Sequence, residues 1–276
     1  MPLPWFSKKP SPAIIDDPTW AAAVGESPFL DHLGEADLAR LRELCEAFLR
    51  AKTISGAQGF EVTPFVRASI ALQACLPALN LGLQGYADFV EIVVYPDQFL
   101  VPRKRTDDAG VVHESTEVLA GEAMDGGPVV LSWADVQPGE HNLGWNVTIH
   151  EFVHKLDLVD GEADGIPPLP PARRRRWAAT LDRAYDAFCQ ELDRVEASIP
   201  RHVDPESEAA DDWFAQLPLD PYAATDPAEF FAVSGEAFFV APEVLQDAFP
   251  DWYRVLAEFF GQDPLGPAPQ DIEQAR

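Results

Sequence analysis

The stretch NVTIHEFVHKLDLVDG, residues 146–161, sets His150 and His154 four positions apart, with Glu151 directly after the first. Positions i and i+4 of a helix share a face one turn apart, so both imidazoles can turn to a single point. Glu151 falls about 100° further round the helix. It would stand beside a cation held by the two rings, within reach of a water on that cation. Zinc suits such a place, being a Lewis acid without redox chemistry that brings its water's pKa to about 7. Glu151 would take the proton from that water and later hand it to a leaving amine. The competing reading is a helix with two unrelated histidines. In a chain with six histidines, chance yields the pattern on the order of once in a hundred such chains. Apolar residues at helical spacing (Val147, Phe152, Val153, Leu156, Leu158) pack the helix, so its polar face must look into something.

Composition sets the outer limits. The 276 residues are 47% hydrophobic, enough for one large domain or two small ones with a formed core. A net charge of −26 repels phosphate, so neither nucleic acid nor an anionic membrane surface is an expected partner. Cys45, Cys75 and Cys189 lie far apart with no CxxC pair, which is neither a disulfide framework nor a thiolate metal cluster. The start, MPLPWFSKKPSP, lacks the apolar run of a signal peptide, and no stretch approaches the roughly 18 apolar residues of a membrane span. The expected location is the cytoplasm.

Working outward, EADLARLRELCEAFLRA (35–51) places Leu38, Leu41, Leu44, Cys45, Phe48 and Leu49 on one helical face. A second helix starts at Thr63 as cap with Pro64 in its first turn. Pro77 predicts a kink or an early stop, and Gly82 ends the region. The period then changes. Residues 90–101, 111–123 and 128–133 are short, β-branched runs divided by DDAG and MDGGP, and they predict a small, mostly antiparallel sheet. Residues 171–197 repeat apolar positions at helical spacing. Their arginine run, 173–176, reads as a solvated helix start paired with carboxylates rather than an anion site. An acidic loop, HVDPESEAADDWF, precedes two more helices over 226–240 and 241–261.

Catalytic zinc ordinarily has three protein ligands, and the motif supplies two. His32 is near the terminus, His113 in a strand, His141 across a turn before the motif helix and His202 in the acidic loop, so a carboxylate is the better candidate. Glu229, Glu236 and Glu243 all lie in or beside helices, and spacing does not choose among them. Glu229 also has a structural reading, because Asp226, Pro227 and Glu229 fall as N-cap, first and third residues of a capping box. Asp157, three residues after His154, can accept a ligand imidazole's free N–H and fix its tautomer, or it can pair with Lys155 or an arginine. PVVLSW (128–133) is a candidate sheet edge for pairing with an extended peptide.

The motif together with PYAATDPAEFFAV and, upstream, IVVYPDQF and ALQACL resembles the Mlc titration factor A family of bacterial zinc peptidases, in order from about residue 60 to 260. That catalytic region is similar in motif to anthrax lethal factor. HExxH alone is shared by many zinc enzymes, and with HKLD and PAEFFAV it is much more specific. The resemblance implies one Zn2+ per chain held by His150, His154 and Glu229, with Glu151 as catalytic base. It implies that Tyr222 faces the zinc-bound oxygen, where a phenol hydroxyl donates to the oxyanion. It further implies a cytoplasmic protein with aminopeptidase-type cleavage of small peptides, which can bind the glucose repressor Mlc and relieve repression of sugar-uptake genes.

The expected fold is therefore α+β, a predominantly helical zincin-like metallopeptidase domain over 35–262, with an N-terminal arm (1–34) and a flexible tail (263–276). The expected function is zinc-dependent peptide hydrolysis with a regulatory role linked to an Mlc-like repressor. The alternative is a regulatory binding protein that sequesters such a repressor, with zinc mainly structural. A zinc hydrolase acting on a non-peptide amide is a third reading.

Overall fold

The computed structural model describes residues 14–106, 112–123, 126–137, 145–205 and 207–266. Its first half runs α1 (Asp17–Gly25), α2 (Glu35–Ala51), β1 (Thr53–Gly56), α3 (Pro64–Cys75), β2 (Glu91–Tyr95), β3 (Phe99–Thr106), β4 (Val112–Leu119), β5 (Gly121–Ala123) and β6 (Val129–Ser132). Then follow α4 (Trp133–Val136), α5 (Val147–Asp157), α6 (Pro171–Ser198), α7 (Asp211–Phe214), α8 (Pro227–Val240), α9 (Pro242–Ala248) and α10 (Pro250–Phe260). The fold is α+β and predominantly helical, as expected.

Local chemistry explains the helix ends. The Thr63 hydroxyl accepts from the Val66 N–H at 3.2 Å to start α3, which stops at Cys75, two residues before Pro77. Asn146 caps α5 by accepting from the Ile149 N–H at 2.9 Å, and Asp226 caps α8 by accepting from the Glu229 N–H at 3.0 Å. The stretch 241–261 holds two helices rather than one, because Pro250 has no N–H to continue α9 and instead opens α10. Part of the acidic loop folds too, as a 3-10 turn over Glu208–Ala210 and then α7. Within the N-terminal arm, Ile15, Ala23 and Leu30 are buried in the main core. At the other end, Gln262 Nε2 donates to the Leu76 carbonyl at 2.8 Å, and the Tyr253 hydroxyl donates to Asp263 at 2.7 Å. Residues 1–13 and 267–276 lie outside the described residues.

The sheet differs from expectation in sense. Its order is β1-β2-β6-β5; β1 with β2 and β2 with β6 are parallel, and β5 with β6 is antiparallel. The antiparallel β3–β4 ribbon stands apart as a two-stranded sheet. Parallel pairing of β1 and β2 follows from α3, which carries the chain back across the sheet between them. Two runs expected as continuous strands are broken. Pro96, without an N–H, separates β2 from β3, and a bend at Ala120 separates β4 from β5. The segment PVVLSW is corrected as well: its strand β6 is interior, buried at all four positions between β2 and β5, and β1 and β5 are the edges.

Helix α5 runs through the centre of the molecule. Phe152 meets Phe48, Tyr86 and Phe89 edge to face, with ring centroids 5.6, 5.0 and 5.9 Å away. Its other side packs on α8, where a Cβ on Gly235 would come 3.1 Å from a Val153 methyl, so the missing side chain lets the two helices close up. Beyond α8, Phe230 and Phe231 pack with Trp177 and Trp252, and the Trp252 indole N–H donates to Ser234 at 2.7 Å. Two lysines are part of this interior. Lys52 Nζ donates to the carbonyls of Tyr86 and Phe89 and lies 3.8 Å from the Phe89 ring centroid. Lys155, fully buried on α5, places its Nζ 3.2 Å from Asp88 Oδ2 and 3.3 Å from the Gly127 carbonyl. Burial pushes the Lys52 pKa down, Asp88 opposes that and Lys155 adds to it. The arginine run meets carboxylates: Arg174 lies 3.4 Å from Asp160, and Arg176 bonds both oxygens of Glu258 at 2.9 and 2.8 Å.

Candidate metal centre

On α5 the four-residue spacing brings His150 and His154 side by side with ring centroids 4.7 Å apart. Glu229 enters from α8 as the third helical residue, next to the Asp226 cap and at the helix end where a negative charge is favoured. The Nε2 atoms of His150 and His154 are 3.1 Å apart, and Glu229 Oε2 lies 3.1 Å from the second and 3.3 Å from the first. Two nitrogens and an oxygen thus form a nearly equilateral triangle. Bonds of about 2.0–2.1 Å to a tetrahedral ion put neighbouring ligands about 3.3 Å apart, so the three donors could hold such an ion with little movement. Among the described residues, this is the one group of three or more His, Cys, Asp or Glu with donor atoms so close together. His32 instead bonds the Phe29 carbonyl at 3.0 Å, His202 is exposed, His113 lies in β4, and His141 falls outside the described residues.

Of the three carboxylates that sequence spacing leaves open, Glu229 faces the Nε2 atoms and Glu236 faces the other side of His150, 3.5 Å from Nδ1. Glu243 sits at the start of α9. Glu229 forms only half of a capping box. Its N–H donates to Asp226, while its carboxylate meets the histidines and the Tyr222 hydroxyl, which donates to Oε1 at 3.1 Å.

Buried ionisable groups shift one another here. Burial opposes ionisation of Glu229, but hydrogen bonds to His150 and His154 hold it well below the usual carboxylate range. Burial likewise opposes a charged His150, and the Glu229 and Glu236 carboxylates beside it outweigh that, so the ring is pushed up to about 10. Glu151 is buried at 5% exposure, and burial raises its pKa against the pull of His150 and His154. A carboxylate so placed takes up a proton readily, as a general base must. Gly121 makes room for it: a Cβ there would lie 2.4 Å from Glu151 Oε1. Tyr222 sits in the turn Pro221–Ala224, its backbone N–H donating to Asp220 at 2.8 Å. Burial and the Glu229 charge raise its phenol pKa, so the hydroxyl keeps its proton and remains a donor.

Asp157 is fully buried but serves another contact. Its Oδ2 accepts from the Gly165 N–H at 2.8 Å, and the Gly165 carbonyl accepts from the Trp177 indole at 2.7 Å. Burial pushes the carboxyl up to about 7. Lys155 pairs with Asp88 rather than with it. Sequence reasoning did not foresee Gly121 beside Glu151 or Glu236 at the second nitrogen of His150. For Glu236 a signal existed, since seven residues after Glu229 returns to the same helical stripe.

The donors open on a cleft of about 570 Å³ lined by the edge strand β5, Trp145, Leu158, Tyr222 and Val233. Residues 5–261 match a family model described as glucose-regulated metallo-peptidase M90. Mlc titration factor A of Pectobacterium atrosepticum is 38% identical over 263 residues, spanning 95% of this chain and 92% of that protein. Proteins of the same name from Escherichia fergusonii (37% over 264 residues, 95% and 93% covered) and Klebsiella pneumoniae strain 342 (38% over 239 residues, 86% and 84%) are similar along their lengths.

Proposed function

This chain belongs to the glucose-regulated metallo-peptidase M90 family, and from that premise we propose that it is a zinc-dependent, aminopeptidase-type metallopeptidase. The observation that carries the reading is the triangle of His150, His154 and Glu229 with Glu151 buried beside it. Two imidazoles and one carboxylate are a donor set suited to zinc, one ion per chain. When bound, zinc supplies Lewis acidity, lowering the pKa of a water towards about 7 and polarising a carbonyl. Glu151 accepts the proton of the attacking water and delivers it to the leaving amine. Tyr222 donates its hydroxyl hydrogen bond to the developing oxyanion. An extended peptide enters along β5, whose outer edge has no strand neighbour among the described residues and whose Gly121 brings the backbone close to Glu151.

The name of these relatives, Mlc titration factor A, supports a second role, binding of an Mlc-type repressor, which we place in the cytoplasm and without contact to nucleic acid itself. The net charge of −26 supports the last point. No helix among the described residues is long and apolar enough to cross a membrane. The test is metal analysis paired with peptide hydrolysis. Glu151→Gln should keep zinc and lose hydrolysis by 100-fold or more, on the order of a lost general base, while Glu229→Ala should lose zinc itself. Wild-type turnover by Glu151→Gln would reject the mechanism. Stoichiometric repressor binding by a wild type devoid of peptidase activity would favour a purely regulatory protein.

A further inference from the structure

Helix α8 carries two carboxylates on the stripe that faces α5, Glu229 and, two turns later, Glu236. Glu236 is 1% exposed, and no lysine or arginine is paired with it among the described residues. One of its oxygens, Oε1, accepts from the backbone N–H of Asn146, the N-cap residue of α5. The other, Oε2, lies 3.5 Å from His150 Nδ1 without hydrogen-bond geometry, and neither of those two atoms has a hydrogen-bond partner among the described residues. His150 thus has a carboxylate of the same helix beside each ring nitrogen, Glu229 towards Nε2 and Glu236 towards Nδ1.

We propose that Glu236 is a positioning residue: it holds the proton of His150 on Nδ1, so that the Nε2 lone pair faces the metal, and it ties the start of α5 to α8. The inference rests on the zinc reading above. Its chemistry is that of an acceptor needed twice. A neutral imidazole has one N–H, and whichever nitrogen donates leaves the other free to ligate. Only a side chain that accepts on both oxygens satisfies the Asn146 N–H and the His150 Nδ1–H together. A glutamine of the same shape cannot do so. If its carbonyl keeps Asn146, its NH₂ confronts Nδ1 and favours the proton on Nε2. If it flips, two N–H donors meet at Asn146.

The test is the zinc affinity of Glu236→Gln, measured by competition with a chromophoric chelator, beside wild type. Loss of such an outer partner weakens metal binding by roughly 10- to 100-fold, with circular dichroism unchanged, and that is the expected result. Wild-type affinity in a folded Glu236→Gln overturns the proposal. Should the variant fail to fold, the ¹⁵N shifts of His150 in the zinc-loaded wild type decide. A proton on Nδ1 with metal on Nε2 supports the proposal, and metal on Nδ1 overturns it. A wild type that binds no stoichiometric zinc fails at the earlier step and rejects the metallopeptidase reading itself.

Discussion

Gly121→Ala should inactivate the protein without emptying its metal centre. A Cβ at position 121 would lie 2.4 Å from Glu151 Oε1, 2.7 Å from Glu151 Cγ and 2.7 Å from Val147 Cγ2, where ordinary contact begins at 3.4 Å. Val147 opens α5 and is 3% exposed, so it has nowhere to go. The carboxylate is the part able to turn, and it must give way by about 1 Å. A displacement of about that size at a reacting group costs on the order of 100-fold in rate, about 2.7 kcal/mol in the barrier. The three atoms nearest that Cβ belong to Glu151 and Val147 rather than to His150, His154 or Glu229, so zinc content should match wild type. The assay is turnover of a fluorogenic aminoacyl substrate at saturating concentration, with zinc measured on the same preparation. A kcat within twofold of wild type, in a folded and zinc-loaded Gly121→Ala, would falsify the idea that the edge strand is cut back to make space for Glu151.

Other consequences are testable. The Asp157 carboxyl is pushed up to about 7 from about 3.9 when unfolded, so the folded chain holds the extra proton between those values. Its contribution is complete below the unfolded value and is lost as pH rises through about 7. Asp157→Asn should therefore be more stable than wild type by up to about 4 kcal/mol at pH 8 and nearly level with it at pH 4; urea unfolding showing a constant difference would reject this. Gly165 has φ +75°, and a Cβ there would lie 2.4 Å from the Pro227 carbonyl, so Gly165→Ala should cost at least about 2 kcal/mol in the same assay. An unchanged midpoint would show that the loop between α5 and α6 relaxes freely. Chelation should lower the melting temperature and zinc restore it, since an ion at 1,000 times its Kd contributes about 4 kcal/mol. Coincident melting curves would argue against a site shared by two helices.

Much of the centre was legible because its geometry is local. A four-residue spacing within α5 and the Asp226–Pro227 start of α8 each carry their meaning in a few adjacent letters. The order in which strands pair does not. β1 is four residues long, too short to show a period, and nothing in β2 says that both of its neighbours run parallel to it. Only the buried run Val129–Ser132, apolar at three successive positions, hinted that β6 is covered on both faces. The choice between Glu229 and Glu236 was beyond spacing for a physical reason. Seven residues apart, both lie on one stripe and both reach His150, and what separates them is which ring nitrogen each one meets. Tyr222, in a short turn with no period, was suggested by resemblance alone.

The two buried lysines turn the molecule into its own opening gauge. The sequence holds five lysines, at positions 8, 9, 52, 104 and 155. An acylating reagent attacks only an unprotonated, accessible amine, and Lys155 is 0% exposed on the very helix that carries both histidines. The rate at which its amine becomes tagged, followed by mass spectrometry of a single peptide, therefore counts excursions in which α5 leaves its bed. A ligand in the cleft that slows this tagging would be clamping that helix from a distance, readable without any knowledge of what the ligand is.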